Sequence, residues 1–165
     1  MKSQFVHLHT HSHYSLLDGL TKLEDMVRIA KEHDMSAIAL TDHGNMYGAI
    51  EFYKICKKEG IKPIIGVEAY MAPGSRLDKT ATPAGTKKYY HLILLAKNLT
   101  GYKNLMRLVT RANLEGYYYK PRMDKDLLRE HHEGIIALSA CMGGELSQTV
   151  LKGSAEQAEA LGRIS

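Results

Sequence analysis

Cysteine is scarce in this chain of 165 residues, with only Cys56 and Cys141. Two cysteines cannot build a disulfide scaffold, and reduced thiols point to a cytoplasmic protein. No apolar run approaches the ~18–20 residues of a membrane-spanning helix, so no membrane role is expected. The N-terminus, MKSQFVHLHTH, places histidines where a signal peptide would have its apolar core. Internal repeats and low-complexity tracts are missing too. What remains is ordinary globular usage, 44% hydrophobic and 24% charged, which excludes disorder, collagen and coiled coil. The length fits a single domain over 1–165, and such a chain buries roughly two thirds of its surface without help from a disulfide or metal.

Two features stand out against this background. Of nine histidines, four (His7, His9, His11 and His13) lie in the first thirteen residues. Charge is also uneven. Residues 1–86 carry 10 basic and 10 acidic side chains, whereas 87–125 carry 9 basic against 2 acidic, together with six of the ten tyrosines.

Apolar periodicity predicts alternating strands and helices. Phe5–His9 reads as a strand. Thr21 and Glu24 form a capping box, followed by Leu23, Met26, Val27 and Ala30 at helical spacing. Strands are expected at Ala37–Thr41, Ile61–Tyr70, His91–Ala96 and Gly134–Ala140. Between them fall helices at Tyr47–Glu59, around Tyr102–Val109 and at Asp124–His131. Residues 72–88 and the segment Gly116–Met123 read as loops. Helical sequence resumes near Gly144, with a second capping box at Ser154 and Gln157. The class is α/β, and the alternation argues for a parallel sheet or a barrel.

Several residues could carry chemistry. On an extended chain His7, His9 and His11 point to one side, and imidazoles at i, i+2 suit zinc or iron. Asp42 and His43, in the run TDHG, leave the end of a strand, where parallel α/β folds keep their site residues; they read equally as a turn. Glu68, in PIIGVEAY, is a costly charge in an apolar strand unless paired or bound to metal. Cys141 follows a strand and offers a thiolate, or fills space as a small hydrophobe. Asp18, in SLLDG, is a further carboxylate. His91 stands at the start of its strand and, on the residues alone, reads as structural. Together these form a mixed N/O/S set suited to zinc, manganese or iron and too large for one structural ion. Several ions bridged by carboxylates are the equipment of phosphoester hydrolysis.

In combination, His9-x-His11, TDHG, GVEAY, YYHLILLAKN and ALSACMGGEL resemble a PHP domain (polymerase and histidinol phosphatase). SLLDG, TDHGNMYGAIEFYK and YYKPRMD resemble the version at the N-terminus of bacterial DNA polymerase III alpha subunits. The resemblance implies a distorted seven-stranded (βα) barrel with up to three divalent ions. It implies His9, His11, Asp18, His43, Glu68, His91 and Cys141 as ligands, with His7 and Asp42 as supporting groups or further ligands. The family's Asp-x-His pair is not found before Ser165, so a barrel cut short after about five strands is expected.

The same resemblance implies DNA-directed DNA synthesis by the parent polymerase. Its partners would be DNA, the remaining polymerase domains, a proofreading exonuclease subunit and the sliding clamp. The domain itself would be a metal-dependent phosphoesterase, acting as a 3′–5′ exonuclease, with Lys120 and Arg122 clamping phosphate. The rival readings are a non-catalytic scaffold that binds the separate exonuclease and a free-standing phosphatase.

Overall fold

A computed structural model describes residues 5–80 and 87–153, with Glu156 and Glu159. Helix α1 (Leu23–Glu32) buries Leu23, Met26, Val27 and Ala30, the stripe its spacing predicts. Its N-cap is Lys22, and the Thr21–Glu24 capping box does not form. The Thr21 carbonyl accepts from His13 N–H, which ties that residue to the preceding loop. Strand β1 (Ala37–Leu40) leads to α2 (Ala49–Glu59). This helix starts two residues later than expected because the Asn45 side chain holds Tyr47 N–H in a turn. It ends at Gly60, whose φ of +75° is the left-handed stop.

Strands β2 (Lys62–Met71) and β3 (Tyr90–Ala96) precede α3 (Leu99–Leu114). Then come β4 (Tyr117–Tyr118), β5 (Lys120–Met123), α4 (Lys125–Glu130), β6 (Ile135–Leu138) and α5 (Glu145–Leu151). The second expected capping box, Ser154 with Gln157, lies outside the described residues. None of the described helices is long and apolar enough to cross a membrane.

The fold is α/β, with six strands in one sheet ordered β4–β5–β2–β3–β6 and β1 also paired to β2. The sheet is mixed rather than parallel. Strands β1 and β5 run parallel to β2, β3 runs antiparallel to β2, and β6 antiparallel to β3. The β2–β3 connection carries no helix among its described residues, so nothing imposes a parallel return. Two further expectations change. Residues 5–10 lie beside β1 without forming a strand: Ala39 N–H reaches the His7 carbonyl and Thr41 N–H the Thr10 carbonyl, so three steps face two and the ladder breaks. The GYYYKPRM segment is a hairpin, not a loop. Tyr117 pairs with Pro121 and Tyr118 with Lys120, leaving Tyr119 at the turn with φ +62°.

Period-two alternation along β2 sorts the interior. Val67, Ala69 and Met71 pack with Leu94, Leu105, Leu108 and Leu127 beneath α3 and α4. On the other side of β1, Ile38 and Leu40 pack against α1 and α2. The opposite face of the sheet gathers Ala39, Ile64, Ile93, Leu95 and Leu138. Gly66 sits at a close approach: a Cβ there would lie 2.6 Å from the Leu94 carbonyl oxygen. Continuing along this inner face, Glu68 and Tyr70 follow Gly66 and lie opposite Ile93 and His91.

The segment after β2 is fastened by charge. Arg76 donates to both oxygens of Asp124 from Nη1, at 3.0 and 3.1 Å, and to Glu115 from Nε at 2.8 Å. Asp124 also caps α4 by accepting from Leu127 N–H. Burial works to raise the Asp124 pKa, but the Arg76 and Leu127 amides and the guanidinium hold it below its ordinary value.

Candidate metal centre

The candidate centre is built around Glu68, buried to 1% exposure at the end of β2. Its Oε2 lies 2.6 Å from His11 Nε2, 3.0 Å from His9 Nε2 and 3.2 Å from His43 Nδ1. Its Oε1 lies 2.7 Å from His91 Nδ1. Burial alone would raise the pKa of this carboxyl, yet hydrogen bonds from His11, His9 and His91 hold it well below the usual carboxylate range. His43 arrives through the turn after β1, where a bridge to Glu68 fixes the backbone. Gly44, at φ +63°, lets this turn pass against Tyr70 and Pro121.

His91 comes from the start of β3. Because β3 is antiparallel, its start lies beside the C-terminal end of β2, at the same end as Glu68. Strand β6 reverses direction again, so Cys141, just beyond it, returns to that end. Cys141 Sγ lies 4.0 Å from His91 Nδ1 and accepts from Gly143 N–H at 3.3 Å. That amide and His91 lower the thiol's pKa. A Cβ on Gly143 would stand 3.2 Å from His91 Nδ1 and 3.4 Å from Cys141 Sγ, so a side chain there would crowd this corner.

Asp18 approaches from the loop before α1. Its Oδ2 lies 2.6 Å from His43 Nε2 and 3.2 Å from His11 Nδ1, and the His43 contact lowers its pKa. Desolvation lowers the His43 pKa. It acts the same way on His11, where the Glu68 hydrogen bond overcomes it and the net shift is upward. Asp42 is not among the converging donors. It is buried one layer behind them, accepting from Ser12 N–H at 2.7 Å, Ser12 Oγ at 2.8 Å and Ser15 Oγ at 2.6 Å. It thereby anchors the loop that carries His11 and Asp18.

The donor set fits divalent cations. Four imidazoles surround the buried carboxylate of Glu68. His9 Nε2 and His11 Nε2 are only 3.2 Å apart, so one at most directs a proton at the other. His43 Nδ1 is buried beside Glu68 without making a hydrogen bond. The residues fall into three overlapping groups: His9, His11 and Glu68; His11, Asp18 and His43; Glu68, His91 and Cys141. Within each, the donor atoms lie within 4.8 Å of one another. Glu68 and His11 each belong to two groups. Imidazole, carboxylate and thiolate together suit zinc-like ions.

Two expected residues stand elsewhere. His7 is exposed and packs edge-on against Phe5, because the irregular 5–10 segment breaks the alternation that would bring it inward. Arg122 is a correction: it is buried, and its Nε and Nη2 donate to the carbonyls of Gly116, Arg76 and Asp78. A guanidinium buried and tied down in this way does not stand free at the rim as a phosphate clamp would. Lys120, by contrast, is exposed, with Nζ 5.5 Å from the centre of the Tyr70 ring. Three residues escaped sequence reasoning. Ser12 and Ser15 carried no signal beyond a turn-like composition. Tyr70 did carry one, since it is two residues from Glu68 on a strand and therefore shares its face. Its ring stacks on His43, and burial pushes its hydroxyl up to about 12.

Comparison with known proteins returns a consistent result. The family model described as PHP domain matches residues 7–164. The DNA polymerase III subunit alpha of Treponema pallidum is 55% identical over 158 residues, which is 96% of this chain and 13% of that protein. The same subunit from Thermus aquaticus is 52% identical over 161 residues, again 96% of this chain and 13% of that one. The chain thus spans about an eighth of the length of the curated relatives it matches. A solved two-domain protein from Bacteroides vulgatus, titled as containing a predicted PHP-like metal-dependent phosphoesterase, superposes with a TM-score of 0.55. That match is 20% identical and covers 94% of this chain and 40% of that one, a likeness of fold.

Proposed function

The chain belongs to the PHP domain family, and from that premise we propose that it is the metal-binding N-terminal domain of a bacterial DNA polymerase III alpha subunit, with a phosphoesterase site of its own. The observation that carries this reading is the gathering of N, O and S donors from seven residues, with Glu68 at their centre, into three overlapping groups. His9, His11, Asp18, His43, Glu68, His91 and Cys141 would hold up to three divalent ions, zinc foremost, with manganese and iron as alternatives. Such ions supply Lewis acidity and a water acidified to about 7. The protein's own residues bind and orient. Glu68 bridges two donor groups, Asp42 with Ser12 and Ser15 holds the Asp18 loop in place, and Lys120 meets phosphate at the rim. The substrate is a phosphodiester at a DNA 3′ end, and the activity is 3′–5′ exonucleolytic. The parent protein carries out DNA-directed DNA synthesis in the cytoplasm, with DNA, its other polymerase domains, a proofreading exonuclease subunit and the sliding clamp as partners.

The test is elemental analysis of the purified chain, paired with hydrolysis of single-stranded DNA by wild type and His9→Ala. Bound ions and 3′–5′ cleavage that both fall in His9→Ala are expected. Bound ions without cleavage under zinc, manganese or iron would replace the hydrolytic reading with that of a scaffold. A chain free of ions, whose melting ignores chelator, would overturn the metal reading itself.

A further inference from the structure

A wall of tyrosine and lysine rises beside the His43–His91 side of the centre. Tyr70 stacks on His43 with ring centres 6.0 Å apart and 16° between planes, and meets Tyr89 edge-on at 4.9 Å. Tyr89 lies parallel to His91, 5.9 Å between ring centres and 7° between planes. Above Tyr70 stands the Lys120 ammonium. The neighbouring hairpin turn presents Tyr119, 62% exposed, with the Lys88 ammonium 3.5 Å from its ring centre. Three separate segments contribute: β2, the approach to β3, and the β4–β5 hairpin. The hairpin is seated on the centre itself, since a Cβ on Gly44 would strike Pro121 at 2.9 Å.

Charge marks the wall as a site for an anion. Among the described residues Lys88 and Lys120 pair with no carboxylate, and both ammonium groups lie over aromatic rings instead. Lysines placed in this way neutralise phosphates, and exposed aromatic faces stack on unpaired bases. A sugar phosphate or inorganic phosphate would use the lysines and leave the exposed Tyr119 ring unused.

We propose that Lys88, Tyr119 and Lys120 form a subsite that selects a nucleoside phosphate, free or at the end of a single DNA strand, by gripping its phosphate and stacking its base. The inference rests on the hydrolytic reading for the orientation of the subsite, with Lys120 toward the centre and Tyr119 away from it. Nucleotide binding itself does not depend on hydrolysis.

The experiment is a fluorescence-anisotropy titration of a short single-stranded oligothymidylate with the 165-residue chain, at several salt concentrations. Thymidine monophosphate and inorganic phosphate serve as competitors. Tyr119→Ala should weaken binding about tenfold, within the range for a lost base stack, and Tyr119→Phe should restore it. The double change Lys88→Ala, Lys120→Ala should flatten the slope of log affinity against log salt by about 1.4, the single-strand value for two phosphates. Lys54→Ala on α2, remote from the wall, controls for bulk charge, and circular dichroism confirms that each variant is folded. Competition by the nucleotide well below the phosphate concentration needed marks a site that takes free nucleotides as well as strand ends; displacement of the probe by unlabelled oligothymidylate but by neither small competitor restricts it to strand ends. Unchanged affinity and slope in folded variants, or inorganic phosphate displacing the probe at the same concentration as the nucleotide, would overturn the proposal. Hydrolysis measured on the same samples separates the two readings. Cleavage that the wall variants leave unchanged sinks only the subsite, whereas wall-dependent binding without cleavage sinks only the phosphoesterase.

Discussion

Replacing Asp42 with alanine removes the acceptor that ties the His11–Asp18 loop to the end of β1, while leaving every donor atom of the centre in place. Three hydrogen bonds are lost, from Ser12 N–H, Ser12 Oγ and Ser15 Oγ. The backbone amide of Ser12 cannot turn elsewhere, and a buried unpaired N–H costs about 1–3 kcal/mol. The two hydroxyls already accept from Tyr14 N–H and His43 N–H, so their own protons lose a charged acceptor. Each such loss adds about 1 kcal/mol, part of which is offset because the carboxylate no longer has to be buried. The net cost is about 3 kcal/mol, a large share of the ~5–15 kcal/mol that holds a domain together.

For a chain of this size, a loss of about 3 kcal/mol lowers the melting temperature by roughly 6–12 °C. Asp42→Asn keeps one oxygen for Ser12 N–H and Ser15 Oγ but turns an amide NH₂ toward Ser12 Oγ. Its cost is about 1 kcal/mol, and its melting point falls between the other two. The assay is thermal unfolding followed by circular dichroism, with chelator in every sample so that ion binding does not contribute. Hydrogen exchange at the Ser12 amide gives a local readout and should accelerate in Asp42→Ala. Melting within about 1 °C of wild type, with that amide still protected, would refute the anchoring role of Asp42.

Glu68→Gln should remove more bound ions than His9→Ala, because Glu68 belongs to two of the three donor groups and His9 to one; equal losses by elemental analysis would contradict the bridging role. Gly143→Ala should weaken ion uptake with little change in metal-free melting, since the nearest atoms the added methyl meets belong to the His91 and Cys141 side chains; calorimetric titration checks it, and wild-type affinity would show the corner is not crowded. Asp124 has a folded pKa below its ordinary ~3.9, so its contribution is complete above that value and is lost as pH falls toward the folded value. Urea unfolding across that acidic window should therefore show a smaller loss of stability in Asp124→Asn than in wild type, and parallel curves would refute the linkage.

Much of the fold was legible because burial follows period. The α1 stripe of Leu23, Met26, Val27 and Ala30, the Gly60 stop and the β1, β2 and β3 segments all appear within two residues of their expected bounds. Strand direction was not legible, because a run of alternating residues reads the same from either end. It depends on the connection, and the sequence from 72 to 89 lacks the periodicity of a crossover helix without announcing that β3 pairs antiparallel to β2. The β4–β5 hairpin was hidden for a related reason. Its turn is the single residue Tyr119 in a left-handed conformation, where no glycine or asparagine marks the place.

Direction also decides which part of the centre could be read. His91 looks structural only if its strand is parallel, for then the start of the strand lies at the end opposite the site. With β3 antiparallel the argument inverts: Glu68 and Tyr70 face inward by alternation, His91 lies directly opposite Tyr70, and cross-strand partners share a face. His91 is therefore inward by register alone, without any appeal to family. The same geometry explains why Arg122 misled. It too lies opposite Tyr70, across the other edge of β2, but its long side chain runs back to carbonyls of Gly116, Arg76 and Asp78. A count of basic residues sees charge and not the acceptors that consume it. Lys120, two positions earlier and without such acceptors among the described residues, keeps its ammonium at the rim of the site.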